Sequence, residues 1–227
     1  MLIKYNQTYW KRVFFLDYFL LKILRYNRFK IHSIFKHKIK SIKKKKILDV
    51  GTTPVFDENN NIILHKFKNL RGITSLSNLD CVPLKKYFNK VRFVQGDARR
   101  MKFKDNKFDV VYSSATIEHV GSKSSQIKFI KECLRVSRRD VFITTPNRFY
   151  PIEFHTKLPL LHFFPPKIYR KILLFLGFSF FSKEKNLNLL SAQDLINICI
   201  FLKIKNYNII RYKFLCITSN LLLHIKK

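Results

Sequence analysis

The sequence predicts an α/β protein, built as a doubly wound, mainly parallel seven-stranded sheet with the last strand antiparallel. Three observations predict it. From residue 47 onward, short apolar runs alternate with helix-like segments. The runs are hydrophobic along their length rather than at every second position, as strands covered on both faces are. Near the end, two such runs follow one another with only a tight connection, which suits an antiparallel pair.

Residues 1–46 differ from the rest and read as a basic amphipathic N-terminal helical extension to a main domain over 47–227. Asp17 is their only acid. Lys11, Tyr18, Lys22 and Arg25 fall near one helical face, with Phe14, Leu20, Leu21 and Leu24 elsewhere. Such a helix either covers one side of its own domain or rests on an anionic membrane surface. The run Lys43–Lys46 is a solvated connector.

The strands then follow in order. "KILDVG" is the first, succeeded by a turn and loop through Asn61. "GITSL" (72–76), "VRFVQGD" (91–97) and "KFDVVYSS" (107–114) are the next three. A helix fits 124–137, where Ile127, Ile130, Cys133 and Leu134 share a face. "DVFITTP" (140–146) is the fifth strand, stopped by Pro146. Residues 147–190, rich in proline and aromatics with a helix-like centre at 167–176, break the rhythm and read as an insertion on the substrate side. "SAQDLINICIFLK" opens a further helix with Ser191 and Asp194 in capping-box positions. Residues 206–215 and 219–227 are the final pair.

An apolar fraction of 47% over 227 residues suits one substantial core. Cys81, Cys133, Cys199 and Cys216 are far apart and form no paired metal or redox motif, which suits free thiols in a reducing compartment. The net charge of +31 admits an anionic partner, a membrane surface or nucleic acid. Lys far outnumbers Arg, however, and Ile, Asn, Phe and Tyr are abundant, as AT-rich coding produces; charge alone decides nothing. No run reaches the roughly 18–20 apolar residues that span a bilayer, and no cleavable leader is legible, so a cytoplasmic protein, at most peripheral at the inner face of the membrane, is expected.

In open parallel sheets, ligands bind beyond the carboxyl ends of the strands. Those ends read Asp49-Val50-Gly51-Thr52-Thr53-Pro54, then Ser75 to Asp80, then Gln95-Gly96-Asp97-Ala98, then Ser113-Ser114-Ala115-Thr116. Each is weak alone; their order is telling. "DVG", "GDARRMKFKDNKFDVVYSSATIEHVG" and "TTPN" together resemble the class I S-adenosylmethionine-dependent methyltransferases, in the small-molecule-modifying branch that carries "FDVV…IEHV". The likeness covers residues 45–147. The segment "TTPNR…P.E.HT.LPLLH" is similar to that of a bacterial subgroup.

The resemblance implies a Rossmann-like methyltransferase fold and S-adenosyl-L-methionine as cofactor. Asp49 and Gly51 match the turn that holds the cofactor's methionine part, with Thr52 and Thr53 in place of further glycines. Asp97 and Ala98 match the adenine position, and Ser113 and Ser114 the strand-four end beside the cofactor. The acid that grips the ribose is missing at Ser77, leaving Asn78 or Asp80 as substitutes.

The cofactor brings the reactivity, and the protein supplies alignment and a dry site. A base is needed only where the acceptor must lose a proton. Glu118, His119, Glu153 and His155 are the candidates, with packing or simple hydrogen bonding as the alternative for each histidine. Asn147, Glu153 and His155 are placed to meet substrate. No metal-ligand spacing is visible. The expected acceptor is an O or N atom of a small or lipid-linked molecule, such as a sugar or cell-envelope intermediate. The alternatives are an RNA methyltransferase and a non-catalytic membrane-associated relative.

Overall fold

The structure, a computed structural model, describes residues 16–39, 45–58, 60–67 and 70–227, without the side chains of 16–21. Seven strands form one sheet: β1 (Ile47–Val50), β2 (Ile73–Ser77), β3 (Arg92–Gln95), β4 (Phe108–Ser114), β5 (Ser137–Pro146), β6 (Tyr207–Phe214) and β7 (Ile217–Lys226). Their order is β3-β2-β1-β4-β5-β7-β6, and only β7 runs against its neighbours. The helices are α1 (Leu16–Lys38), α2 (Ile62–Lys66), α3 (Lys123–Val136), α4 (Pro166–Phe175) and α5 (Ala192–Phe201).

All four β1 residues are buried because both faces of the sheet are covered. Successive side chains point to opposite faces. Leu48 and Val50 join Val111 and Ile143 against Phe129, Ile130 and Cys133 of α3 and Leu195, Ile198 and Cys199 of α5. Ile47, Val110, Tyr112 and Phe142 face the other way, onto Ile31 and Phe35 of α1 and Ile63 and Leu64 of α2. Phe35 is fully buried, with ring centroids 4.6 Å from Tyr112 and 5.2 Å from Phe142. The C-terminal half of α1 therefore covers one side of its own domain. Lys11 of the basic face, Phe14 away from it, and Lys43 and Lys44 of the connector lie outside the described residues.

Several local expectations meet a physical refinement. β5 begins at Ser137, earlier than the sequence suggests. α3 runs directly into it, the Ser137 N–H donating to the Cys133 carbonyl, and the irregular register at Phe108/Val110 accommodates the junction. The buried stripe of α3 is Gln126, Phe129, Ile130, Cys133 and Val136, so Ile127 and Leu134 flank it. α2 follows the loop that ends at Asn61, in a stretch to which the sequence assigns no element. At α5 the capping box forms, with Asp194 receiving the Ser191 N–H at 2.8 Å. Leu215 and Cys216, both at positive φ, turn β6 into β7. Cys81, Cys133 and Cys199 are buried and Cys216 is exposed; all four are free.

The insertion holds its own small core of Tyr169, Leu173, Phe181 and Leu187. Side-chain and backbone bonds staple it to the loop after β4. Gln126 donates to the carbonyls of Ile117 and Asn188, Asn188 donates through its side chain to Gly121 and through its N–H to Glu118. Those bonds carry the insertion across the carboxyl ends of the parallel strands.

Candidate active site

A cleft of about 420 Å³ opens where β1 and β4 part in opposite directions of strand order. Its walls are the ends of β1 (Gly51), β2 (Leu76, Ser77, Asn78) and β3 (Gly96 to Arg99), then Thr116, His119 and Val120, and Lys185 from the insertion. That is the position the topology dictates for a ligand of a doubly wound sheet.

Gly51 answers for the missing glycines of the first turn. Its φ is +98°, and a Cβ there would lie 2.0 Å from Thr116 Oγ1. The two threonines do not act as expected from the sequence. Thr52 is buried and turned under the sheet, its hydroxyl bonded to Asp49 Oδ2 at 3.0 Å and in contact with Ser75 Oγ. Thr53 is clamped by Asn61, which accepts from the Thr53 N–H and donates to the carbonyls of Thr53 and Val55. The turn is thus closed by side chains from below rather than by backbone freedom.

Asp49 shares that buried position. In β1 it stands on the α1 side, beside Ser75 and Tyr112 in register, and does not line the cleft. Burial pushes its carboxyl up to about 7, opposed by the bond from Thr52. Ser113 likewise lies beneath the cleft, its hydroxyl donating to the Val50 carbonyl, and Ser114 accepts from Thr144. Asp80 caps its own turn by accepting from the Val82 N–H, leaving Asn78 as the residue after β2 that reaches the cleft.

Asp97 and Ala98 do line it. Asp97 is gripped by Arg99, whose Nε and Nη2 lie 2.7–3.0 Å from its two oxygens, and the Arg99 N–H adds a bond at 2.8 Å. Those bonds hold the Asp97 carboxyl below the usual range, so it is a fixed anion at the cleft rim.

At the other end, a 3-10 turn (Ile117–His119) presents Glu118 and His119. The His119 ring is open to the cleft. Its Nδ1–H donates to the Asn186 carbonyl at 2.7 Å, which leaves Nε2 as an acceptor. Desolvation by its surroundings, and then His155, lower its pKa below the ordinary histidine value. Glu118 is fully buried; Oε2 accepts from Thr145 at 2.9 Å and Oε1 has no hydrogen-bond partner.

From the insertion, His155 packs edge-on against His119 with centroids 4.7 Å apart. Glu153 is buried and turned inward onto its own loop. It accepts from the N–H groups of His155 and Thr156, the Thr156 hydroxyl and His155 Nδ1, the last at 2.6 Å. Burial alone would raise Glu153, but His155 and these donors win and hold it low. Burial alone would lower His155, but the charge and bond of Glu153, then Glu118, outweigh it and raise it. Asn147 is a joint to β7, donating to the Thr218 carbonyl, and is not part of the cleft.

Arg99 and Lys185 are cleft residues that reading the sequence did not single out, hidden among 45 basic residues. Thr116 was named at the end of the fourth strand without a role, and its contact with Gly51 depends on β1 and β4 being neighbours.

An open, mainly parallel sheet with a cleft at its switch point is the architecture in which doubly wound proteins bind their ligands. Residues 65–144 match the methyltransferase domain family. The fold is similar to that of a SAM-dependent methyltransferase from Aquifex aeolicus, at 12% identity over 91% of this chain and 96% of that one, with a TM-score of 0.59. It is similar too to magnesium protoporphyrin IX methyltransferase from Synechocystis with bound S-adenosylhomocysteine, at 12% identity over 96% and 89%, TM-score 0.57. A third likeness is to 1,6-didemethyltoxoflavin-N1-methyltransferase of Burkholderia thailandensis, at 10% identity over 90% and 77%, TM-score 0.54. The family match covers about a third of the chain, and the solved structures share its fold; the cofactor named for those proteins is S-adenosylmethionine.

The cleft fits such a cofactor. Its volume lies within the roughly 300–1,000 Å³ of small-ligand sites. An acid and a carboxamide (Asp97, Asn78) stand at one end, and a glycine without side-chain bulk at the other.

Proposed function

We propose that this protein methylates an O or N atom of a small or lipid-linked acceptor, with the cofactor lying along Gly51, Asn78, Asp97 and Ala98. The observation that carries the reading is the cleft itself: a strand-end site roofed by Lys185 of the insertion and walled by His119. When bound, the cofactor supplies an activated methyl group on sulfur. Asp97, fixed by Arg99, accepts bonds from the nucleoside end, while Gly51 lets backbone approach the other end. His119 Nε2, neutral at neutral pH and open to the cleft, takes the proton that an acceptor hydroxyl or amine must lose. His155 and the insertion above it exclude water.

Calorimetric titration with S-adenosylmethionine and S-adenosylhomocysteine tests this. Saturable binding of both is expected, weakened about tenfold or more in Asp97→Ala, which loses a charge-assisted bond of roughly 1.5–3 kcal/mol. No binding to the folded protein at millimolar ligand would leave a non-catalytic relative in place of an enzyme.

The lipid-linked acceptor rests on the insertion's surface. Phe149, Leu160, Phe163, Phe164, Ile168 and Phe175 are exposed there, Phe175 by 89%, together with Lys167 and Lys171. Exposed aromatics interleaved with lysines suit the surface of an anionic membrane. No helix among the described residues is long and apolar enough to cross a membrane. Co-sedimentation with anionic vesicles should fall in Phe175→Asp and Ile168→Asp, and pelleting that is unchanged in both would sink the membrane-surface reading.

A further inference from the structure

Glu118, His119 and His155 converge although 36 residues separate the last two in the chain. One ligand-type atom from each lies within 4.8 Å of those from the other two. From this convergence we propose that the three residues form a binding site for a first-row divalent transition-metal cation, open toward the cleft. Two histidines and one carboxylate are a borderline N/O donor set, suited to Zn²⁺ and its neighbours in the series.

Three observations point the same way. The first is Glu118 Oε1, on a fully buried side chain, which has no hydrogen-bond partner and stands 4.0 Å from His155 Nε2. A buried carboxyl oxygen without a hydrogen-bond partner is costly unless a donor or cation meets it; His155 and Arg28 are the cationic side chains whose charge acts on Glu118. The second is the way each histidine is held. His155 Nδ1 faces Glu153 Oε1 at 2.6 Å, and His119 Nδ1–H donates to the Asn186 carbonyl at 2.7 Å. Both arrangements orient the ring: His119 keeps Nε2 as an acceptor, and His155 would give up its Nε2 proton as the ion binds, the pattern by which a carboxylate or carbonyl sets a histidine for a metal. The third is charge: Glu118 and Glu153 bring two buried carboxylates to this cluster in an otherwise strongly basic chain.

Bonds of about 2.1 Å place neighbouring ligand atoms roughly 3.4 Å apart on a tetrahedral ion, so the three atoms must close in by about 1 Å. Three protein ligands leave at least one position for water or for an oxygen of the acceptor, since His119 lines the cleft; a bound ion would occupy His119 Nε2, so that His119 serves as base only in the ion-free protein. Loop 147–190 would then be tied to the end of β4 by the ion as well as by Gln126 and Asn188.

Binding is read without cofactor, acceptor or methyl transfer, so failure here is distinct from failure of the cofactor titration. The full chain, stripped with a chelator, is titrated with Co²⁺ while its visible ligand-field bands are followed, and with Zn²⁺ by calorimetry. One ion per chain is expected. The bands should vanish in Glu118→Gln and His155→Ala, and in His119→Ala, whose open position spares the core. Glu153→Gln should bind one ion about 10–100-fold more weakly. His37→Ala, exposed on α1, should bind as the unaltered protein does. Circular dichroism on each variant separates lost binding from lost folding. Absence of saturable binding, or binding that survives both Glu118→Gln and His119→Ala, would overturn the proposal. The cluster would then be a proton-linked pair, His155 charged between Glu153 and Glu118.

Discussion

Gly51→Ala is expected to lower stability by about 2–5 kcal/mol and to abolish cofactor binding. Two costs add. A left-handed φ of +98° strains any residue with a Cβ, by roughly 1–2 kcal/mol. The new methyl would also stand 2.0 Å from Thr116 Oγ1 and 2.7 Å from its Cγ2, and overpacking of that kind costs about 1–3 kcal/mol. Thr116 cannot swing away freely, because its hydroxyl bonds the carbonyls of Ser114 and Val50 and holds β4 against β1. Urea unfolding of Gly51→Ala, Thr116→Gly and the double variant separates the two costs. The cycle should show a coupling of about 1–3 kcal/mol, because the second change removes the clash and leaves only the strain. Strictly additive losses would mean that Thr116 does not limit the turn.

The second large effect is a pH dependence carried by Asp49. Its carboxyl is buried and pushed up to about 7, against 3.8 for an ordinary aspartate. Between those values the folded protein keeps the proton and the unfolded chain releases it. Stability from this group is therefore present below pH 4, falls as pH rises to about 7, and is level above. The full difference is about 4 kcal/mol at most. Asp49→Asn keeps an oxygen for the Thr52 hydroxyl and removes the titration. The variant should match the unaltered protein near pH 4 and exceed it near pH 8, by a margin that grows across this window. Equal stability profiles from pH 4 to 8 would show that Asp49 is ionised at ordinary cost. The result also bears on the site: Asp49 supports the turn from beneath it, so any effect on cofactor affinity passes through Thr52 and Gly51.

The strands were legible because a fully covered strand must be apolar along its length, as "KILDVG" and "DVFITTP" are. Ser191 and Asp194 were legible because a capping box is a contact between residues three apart. Gly51, Asp97 and Ala98 could be placed at strand ends for the same reason: the end of a short apolar run is a local event. What lies across from each could not. Thr116 matters because β4 lies beside β1, and Arg99 because it folds back on Asp97.

The composition and order of its short segments by themselves determined the α/β class, the strand count, the antiparallel last strand and the address of the cleft. These depend on hydrophobic periodicity and chain punctuation, which act over a few residues. Tertiary structure alone decided which polar side chains face that cleft. Alternation in β1 sends Asp49 to the α1 side, the Thr52 hydroxyl is held by Asp49 and by Ser75 of β2, and bonds to other strands occupy Ser113 and Asn147. It also brought His155 of the insertion to Glu118 and His119, a convergence of long-range contacts that no spacing in the chain announces.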